Sequence, residues 1–289
     1  FQHGHINLLV RLALSEGHGL FAVLRAACVN PVEHYRLPVG LLRPGDPADF
    51  IVVDDLRDFR VRQTYIDGRL VAEDGRPLIE RVDVPARNRF DATAKRVSDF
   101  HLPARGGNVR VIHVHDGQLV TDEVHLPAKA EGGRLVSDSA HDVLKIAVVN
   151  RYADAPPAVA FVRGFGLRRG AIAASVAHDS HNVVAVGVTD EELCAAVNAV
   201  IEAKGGLAVV DGSGTDVLPL EVAGLMSRDG AAVAAGYARL DAKARGLGSP
   251  LTAPFMTLSF MALLVIPALK LSDRGLFDGR TFRFTTLDV

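Results

Sequence analysis

Only two cysteines occur in 289 residues, Cys28 and Cys194, far apart in sequence. A disulfide framework is therefore not expected, and a reducing cytoplasm is the simplest setting. No Cys-x-x-Cys pair offers a thiolate metal site. There is no basic surplus either: 32 Lys and Arg stand against 34 Asp and Glu, a formal net charge of −2. A nucleic-acid partner would show as such a surplus, so none is expected. No secretory signal is visible. The one long uncharged run, 251–269, holds Pro254 and Pro267. A membrane span needs about 20 predominantly apolar residues, so this run is read as a short buried helix and an extended tail. The sequence starts at Phe1 rather than Met, and residues upstream are expected to have been lost or omitted.

What is present is the composition of a globular chain with a sizeable core, 48% hydrophobic and 23% charged. The length allows two domains. Residues 4–16 carry Ile6, Leu9, Val10, Ala13 and Leu14 at helical spacing. A second helix is expected over 20–29, ending at Asn30-Pro31 because a residue before proline avoids the helical region. His3 and His5 share that helix start, where side chains two apart diverge by about 200°, so a metal role is not assigned to them. Strands are expected at 50–53 and 60–66, then a return strand at 69–72 after Asp67-Gly68, a strong hairpin signal. The polar, Pro- and Gly-containing stretch from 73 to 108 reads as a linker or crossing segment.

Strands are next expected at 109–115, 117–126 and 143–149, with a connection over 150–170. His113 and His115 alternate on the first of these, read as an edge strand with two exposed histidines. Thr189-x-x-Glu192 is a capping box opening a helix to about Ala203, with Gly205-Gly206 ending it. A strand over 207–210, a helix beginning near Pro219 and a helix capped by Asp229 complete the chain.

The most informative passage is 164–187. The apolar run 171–177 leads into His178, Asp179, Ser180, His181 and Asn182, and a second apolar run, 183–188, follows at once. Two strand-like runs around a dense polar cluster predict a strand–loop–strand unit presenting imidazole, carboxylate, hydroxyl and amide groups at a sheet edge. A turn needs one or two polar residues; two histidines exceed that need. Asp179 is placed to fix the tautomer of a neighbouring histidine. The plainer reading is a solvated hairpin tip closed by Asp179 and Asn182. His-x-x-His without a third ligand does not define a coordination shell.

The passage GAIAASVAHDSHNVVAVG closely resembles a block of the C-terminal domain of bacterial adenine deaminases, members of the amidohydrolase superfamily. The resemblance extends, in order, to NPVEHYRLPVGLL, to Gly45-Asp46 and Ala48-Asp49-Phe50, to LPLEVAGLMS and to PFMTLSFMALLVIPALKLSDRGL. It implies an α/β fold: the end of a (β/α)8 barrel over 1–36, part of a β-sandwich over 37–82, a linker over 83–108 and a C-terminal domain over 109–289. It implies a pair of divalent metal ions, manganese or iron, activating water to convert adenine to hypoxanthine and ammonia in purine salvage. The small zinc deaminases with a Cys-x-x-Cys signature are a different type. The family's His-x-His ends the first barrel strand; by register His113 and His115 belong instead to the C-terminal domain. The family's metal ligands, the last of them an aspartate just before Gly4-His5-Ile6-Asn7, fall upstream of Phe1. No metal ligand or catalytic residue is therefore carried over, and this chain alone is expected to be inactive without the N-terminal barrel half. His178, Asp179, Ser180, His181 and Asn182 are carried over as candidates that line or close the purine site. A homo-oligomer is expected, and so is poor solubility of the chain from apolar faces on 1–72. The competing reading is a non-catalytic binding or assembly module that kept the C-terminal fold. An upstream Pro-Gly-x-x-Asp-x-His-x-His segment favours the enzyme; a start codon just before Phe1 favours the module.

Overall fold

The computed structural model describes residues 5–80, 82 and 85–289. His3, half of the first His-x-His pair, lies outside them. The chain forms two compact units, residues 1–84 and 85–289.

In the first unit, α1 (Ile6–Ser15) and α2 (Leu20–Leu24) follow the apolar periodicity. The expected stop at Asn30-Pro31 does not occur. A π-turn over Arg25–Val29 runs into α3 (Asn30–Tyr35), which carries Pro31 in its first turn, where the missing N–H costs little. The helical run ends instead at Arg36, in the left-handed conformation at φ 52°.

Strands β1 (Phe50–Val53), β2 (Val61–Ile66), β3 (Arg69–Glu73) and β4 (Arg76–Pro77) form an antiparallel sheet in sequence order. Asp67 and Gly68 both have positive φ, 48° and 72°, as a type I′ turn requires, and Asp74-Gly75 repeats the device before β4. Asp49 locks the approach to β1: its carboxylate accepts from the Gly40 and Asp67 amides, each at 2.8 Å. Those bonds, Asp67 foremost, hold its carboxyl below the ordinary value. Gly40 itself is required, since a Cβ there would sit 1.8 Å from the Pro47 carbonyl oxygen.

The second unit is built on an eight-stranded sheet. In chain order the unit contains β5 (Leu102–Pro103), β6 (Asn108–Val114), β7 (Thr121–Pro127), β8 (Ala130–Glu131), β9 (Arg134–Leu135), β10 (Val143–Val149), β11 (Ala158–Arg163), β12 (Ala171–Ala174) and β13 (Val183–Gly187). Then come α4 (Asp190–Glu202), β14 (Gly206–Asp211), β15 (Gly214–Pro219), α5 (Gly230–Gly246), α6 (Pro254–Phe260), β16 (Leu269–Ser272), β17 (Gly275–Asp278) and β18 (Arg283–Phe284). The large sheet has the order β15-β14-β12-β13-β10-β11-β6-β7. Every neighbouring pair is antiparallel except β11 with β6. Two small sheets, β16-β17-β18 and β5-β9-β8, flank it.

The central strands are buried on both faces. Ala147, Ala171, Ala173 and Ala185 turn toward α4, meeting Leu193, Ala196, Val197 and Val200. Ile146, Val148, Ile172 and Val186 turn the other way, toward Leu240 of α5, Leu258 of α6 and Leu271 of β16. Strand alternation thus sends these alanines to one face and these larger side chains to the other. Lys145 of β10 is the exception within an all-buried strand. Its Nζ bonds both Asp190 carboxylate oxygens, at 2.6 and 2.9 Å, and the Phe100 carbonyl oxygen at 3.1 Å.

Four expectations need correcting. The 83–108 stretch, read as a linker, carries Phe90, Ala92 and Phe100 into the core beside α4, and its backbone bonds to Arg151 and Ala223. The connection 150–170 contains β11, hidden in the sequence behind Pro156-Pro157. Pro219 ends a strand rather than starting a helix; β15 is a sheet edge, where proline is tolerated. His113 lies one strand in from the edge, on β6, with β7 outermost. The run 251–269 holds the seven-residue α6 and leads into β16, a short buried helix and an extended tail as read from its prolines. Among the described residues no helix is long and apolar enough to cross a membrane.

Candidate functional site

The loop 175–182 joins β12 to β13, adjacent antiparallel strands paired from Ala171↔Gly187 to Ala174↔Val184. This is the strand–loop–strand unit expected from the sequence, though it rises from the middle of the sheet rather than its edge.

The loop is fixed at several points. Ser175 Oγ accepts from the Gly206 amide at 2.8 Å and donates to the Gly224 carbonyl at 2.6 Å. The His178 amide donates to the Ser259 carbonyl at 3.1 Å, and the His181 amide to the Ala177 carbonyl at 2.7 Å. His181 takes φ 54°, a left-handed conformation that histidine adopts more readily than bulky residues do. Tyr152 Oη donates to the Ser180 carbonyl at 2.9 Å. Asn182 is buried; its Oδ1 accepts from the Arg151 amide at 3.2 Å, and its Nδ2 donates to Ser180 Oγ at 3.3 Å. Arg151 extends the support, donating to the Ala223 carbonyl at 2.6 Å while its guanidinium lies over the Tyr152 ring at 4.7 Å.

The five candidates thus divide. Asn182 and Ser180 hold the loop. His178 and His181 are half-buried, their ring centroids 6.1 Å apart, and His178 stacks on Phe260 at 5.0 Å. Each has a buried Nδ1 without a hydrogen-bond partner. Burial, aided by the Arg151 and His178 charges and opposed by Asp179, holds the His181 imidazole below its ordinary value. Asp179 is exposed and, among the described residues, bonds neither histidine. The expectation that it fixes a tautomer is not met: the loop turns its carboxylate to solvent, leaving a through-space influence alone. His178 also lines a cavity of about 210 Å³ with Leu218, Tyr237, Phe255, Met256 and Ser259. That chamber suits a small flat apolar group meeting one imidazole.

Among the described residues the group of three metal-capable side chains lies elsewhere, at His113, His115 and Asp122. Three donors suit one ion. They do not fit a bridged pair, which needs several imidazoles and carboxylates shared between two centres. Sequence reasoning had the two histidines but not Asp122; its only signal was the cross-strand register. Nor did it single out the buried Lys145 and Lys270.

Residues 3–71, in the first unit, match the amidohydrolase family. The chain belongs to the adenine deaminase C-terminal domain family, whose profile matches residues 118–283. Adenine deaminase of Salinibacter ruber is 58% identical over 284 residues, 97% of this chain and 52% of that protein. The enzymes named adenine deaminase from Sulfurovum and from Methanosarcina barkeri are 56% and 51% identical, across 97% and 98% of this chain and 51% and 53% of their own lengths. The chain spans about half the length of the curated relatives it matches.

Proposed function

We propose that this chain is the C-terminal portion of a metal-dependent adenine deaminase, a hydrolase that converts adenine to hypoxanthine and ammonia in cytoplasmic purine salvage. The observation that carries the reading is 58% identity to a protein of that name along 97% of the chain. On this reading residues 1–36 are the last helices of a (β/α)8 barrel and 37–82 part of its β-sandwich. The metal pair, manganese or iron, is held by the portion of the relatives outside the aligned span, because the donors described here fit a single ion. The pair supplies an activated water; no step through it is assigned to residues of this chain.

The part assigned to the chain is contact with, or closure over, the purine. The His178 and His181 rings are half-buried at the loop, and the lowered His181 value favours its neutral ring, able to donate or accept toward a heterocycle. Asp179 shapes the local field, and Ser180 and Asn182 set the loop's course. The test is His178→Ala and His181→Ala in a full-length relative, reading kcat/KM for adenine together with bound metal. A fall of roughly 10²-fold at unchanged metal content is expected for a positioning contact. Unchanged efficiency in both variants would remove the loop from the site. For the chain itself, co-expression with the N-terminal half of a relative is expected to yield adenine deamination, associated as a homo-oligomer, where the chain alone gives none.

The 210 Å³ cavity at His178 favours one other reading, a non-catalytic binding module. Adenine binding by the chain without turnover, in the presence as in the absence of the N-terminal half, would support it.

A further inference from the structure

At the outer end of the large sheet, β6 and β7 bring three donors together. Their antiparallel register sets His113 directly opposite Asp122. The two-residue period of a strand puts the His115 side chain on the same face as His113. The two imidazole centroids are 4.8 Å apart. His115 Nε2 and Asp122 Oδ2 are hydrogen-bonded at 2.8 Å. One donor atom from each of the three residues lies within 4.8 Å of the others.

We infer that His113, His115 and Asp122 form a binding site for a single divalent transition-metal ion of the zinc class. Two imidazoles and one carboxylate are borderline donors, which zinc, nickel and copper take in preference to calcium or magnesium. Zinc bonds of about 2.0–2.1 Å require donor separations near 3.3 Å, so the side chains must close slightly around the ion. They are free to do so: the His115 and Asp122 side chains are 41% and 63% exposed. The His113 ring packs on His115 and has no hydrogen bond among the described residues. Asp142 and Arg163 also lie near this ring. A ring nitrogen whose lone pair is not engaged elsewhere is what a metal ion takes. Asp142 is already committed, accepting from the Gly164 and Gly166 amides at 2.8 and 2.7 Å. Arg163 sits opposite His113 on the parallel strand β11, and its charge opposes the ion. Three protein ligands leave at least one coordination position open.

The site does not depend on the deaminase reading, since its donors lie in the C-terminal domain and do not fit a metal pair. The test is equilibrium dialysis of the 289-residue chain, first stripped with a chelator, against Zn2+ alone. One ion per chain is expected at this site. His115→Ala and Asp122→Asn should each weaken it by at least about tenfold, since even outer-shell partners of a metal are worth about 10- to 100-fold. Arg163→Ala should tighten it. His125→Ala is the control: His125 projects from the other face of β7 and pairs with Glu123 at 2.9 Å. The two ligand substitutions are at exposed positions, so unchanged thermal melting will separate lost ligation from lost fold. No zinc uptake by the unsubstituted chain at millimolar concentration overturns the inference. So does uptake that neither ligand substitution weakens.

Discussion

The two units bury their apolar side chains to very different degrees. In residues 85–289 a single strand, β10, buries all seven of its residues, and both sheet faces are covered. In residues 1–84, among those described, Val10 and Phe59 are the buried hydrophobic side chains. Much of the apolar surface of α1 is nevertheless exposed, with Leu9 62% and Leu12 57% exposed, and Phe21 of α2 is 84% exposed. The difference separates two sources of order. The first unit is specified locally, by helix periodicity, two type I′ turns and the Asp49 cradle. The second is specified by contacts distant in sequence. Local chemistry draws the elements of the first unit but supplies little of the burial, about 1.5–3 kcal/mol per large side chain, that holds a fold together.

The sharpest way to break that comparison is to cut the chain between its units. Residues 85–289 alone are expected to fold cooperatively and run as a well-behaved species in size-exclusion chromatography. The whole chain is expected to self-associate through the exposed stripes of the first unit. A monodisperse monomer of the whole chain would show that those stripes are tolerated in water and that the contrast has no consequence.

Within the second unit the largest single-residue effect is expected at Lys145. Its ammonium, nearly sealed from water, ties β10 to the first turn of α4 through Asp190 and to Phe100. Lys145→Ala leaves the Asp190 carboxylate and the Phe100 carbonyl without their partner, a loss of about 3–5 kcal/mol by denaturant titration. A loss below about 1 kcal/mol would mean that solvent reaches the pair. No comparable penalty is expected for the exposed Arg25–Glu33 pair in the first unit.

The same division governs how much was legible in the sequence. Asp67-Gly68 could be read because a type I′ turn is a property of two residues. The Thr189 cap was read for the same reason, and the threonine oxygen does accept from the Glu192 amide at 3.1 Å. In the other half of that box Glu192 does reach back, but to the Thr189 hydroxyl at 3.1 Å rather than its amide, while its second oxygen accepts from the Gly170 amide at 2.8 Å, a contact set by the sheet. Pro219 looked like a helix start because proline fits both a helix's first turn and an edge strand, and only the sheet order decides. The polar loop between β12 and β13 was visible as a cluster of residue types. Its division into Asn182 as buried support, Asp179 as a solvent-facing carboxylate and His178 as a cavity wall depends on Arg151, Tyr152 and Ser259, which no local pattern supplies. Asp122 escaped notice for the same reason, as its relation to His113 is one of register across a hairpin.

Lys270 sharpens the contrast through pH. It is buried on β16, with Nζ donating to the Leu119 carbonyl at 2.7 Å, and burial pulls its value down from 10.5 to about 8. The folded state thus binds this proton less tightly than the unfolded state does. The resulting destabilisation is present in full below pH 8 and is relieved as pH rises from about 8 to 10.5. A fall from 10.5 to about 8 corresponds to roughly 3 kcal/mol. Lys270→Met is expected to stabilise the second unit by about 1–3 kcal/mol at pH 7 and to flatten that alkaline rise. A variant whose stability keeps the unsubstituted chain's slope between pH 8 and 10 would assign the rise to another group.

The smallest effect expected is at the acid end. Asp216 on β15 meets Arg239 and Lys243, one turn apart on α5, at 2.8 and 2.9 Å. The Arg239 hydrogen bond above all, with Lys243 and against a desolvation cost, lowers its carboxyl from 3.8 to about 2. A depressed carboxylate contributes stability that is complete above its unfolded value, and the contribution is lost as pH falls from about 3.8 through about 2. Because the arginine side chain is half exposed, solvent screening reduces the contribution to about 1 kcal/mol. Asp216→Asn should remove that much at pH 7 and nothing at pH 1.5, in chemical denaturation of residues 85–289. Equal losses at both pH values would show that Asp216 acts by packing the sheet edge against α5 rather than by charge. The edge would then be held as the sheet's centre is, by burial.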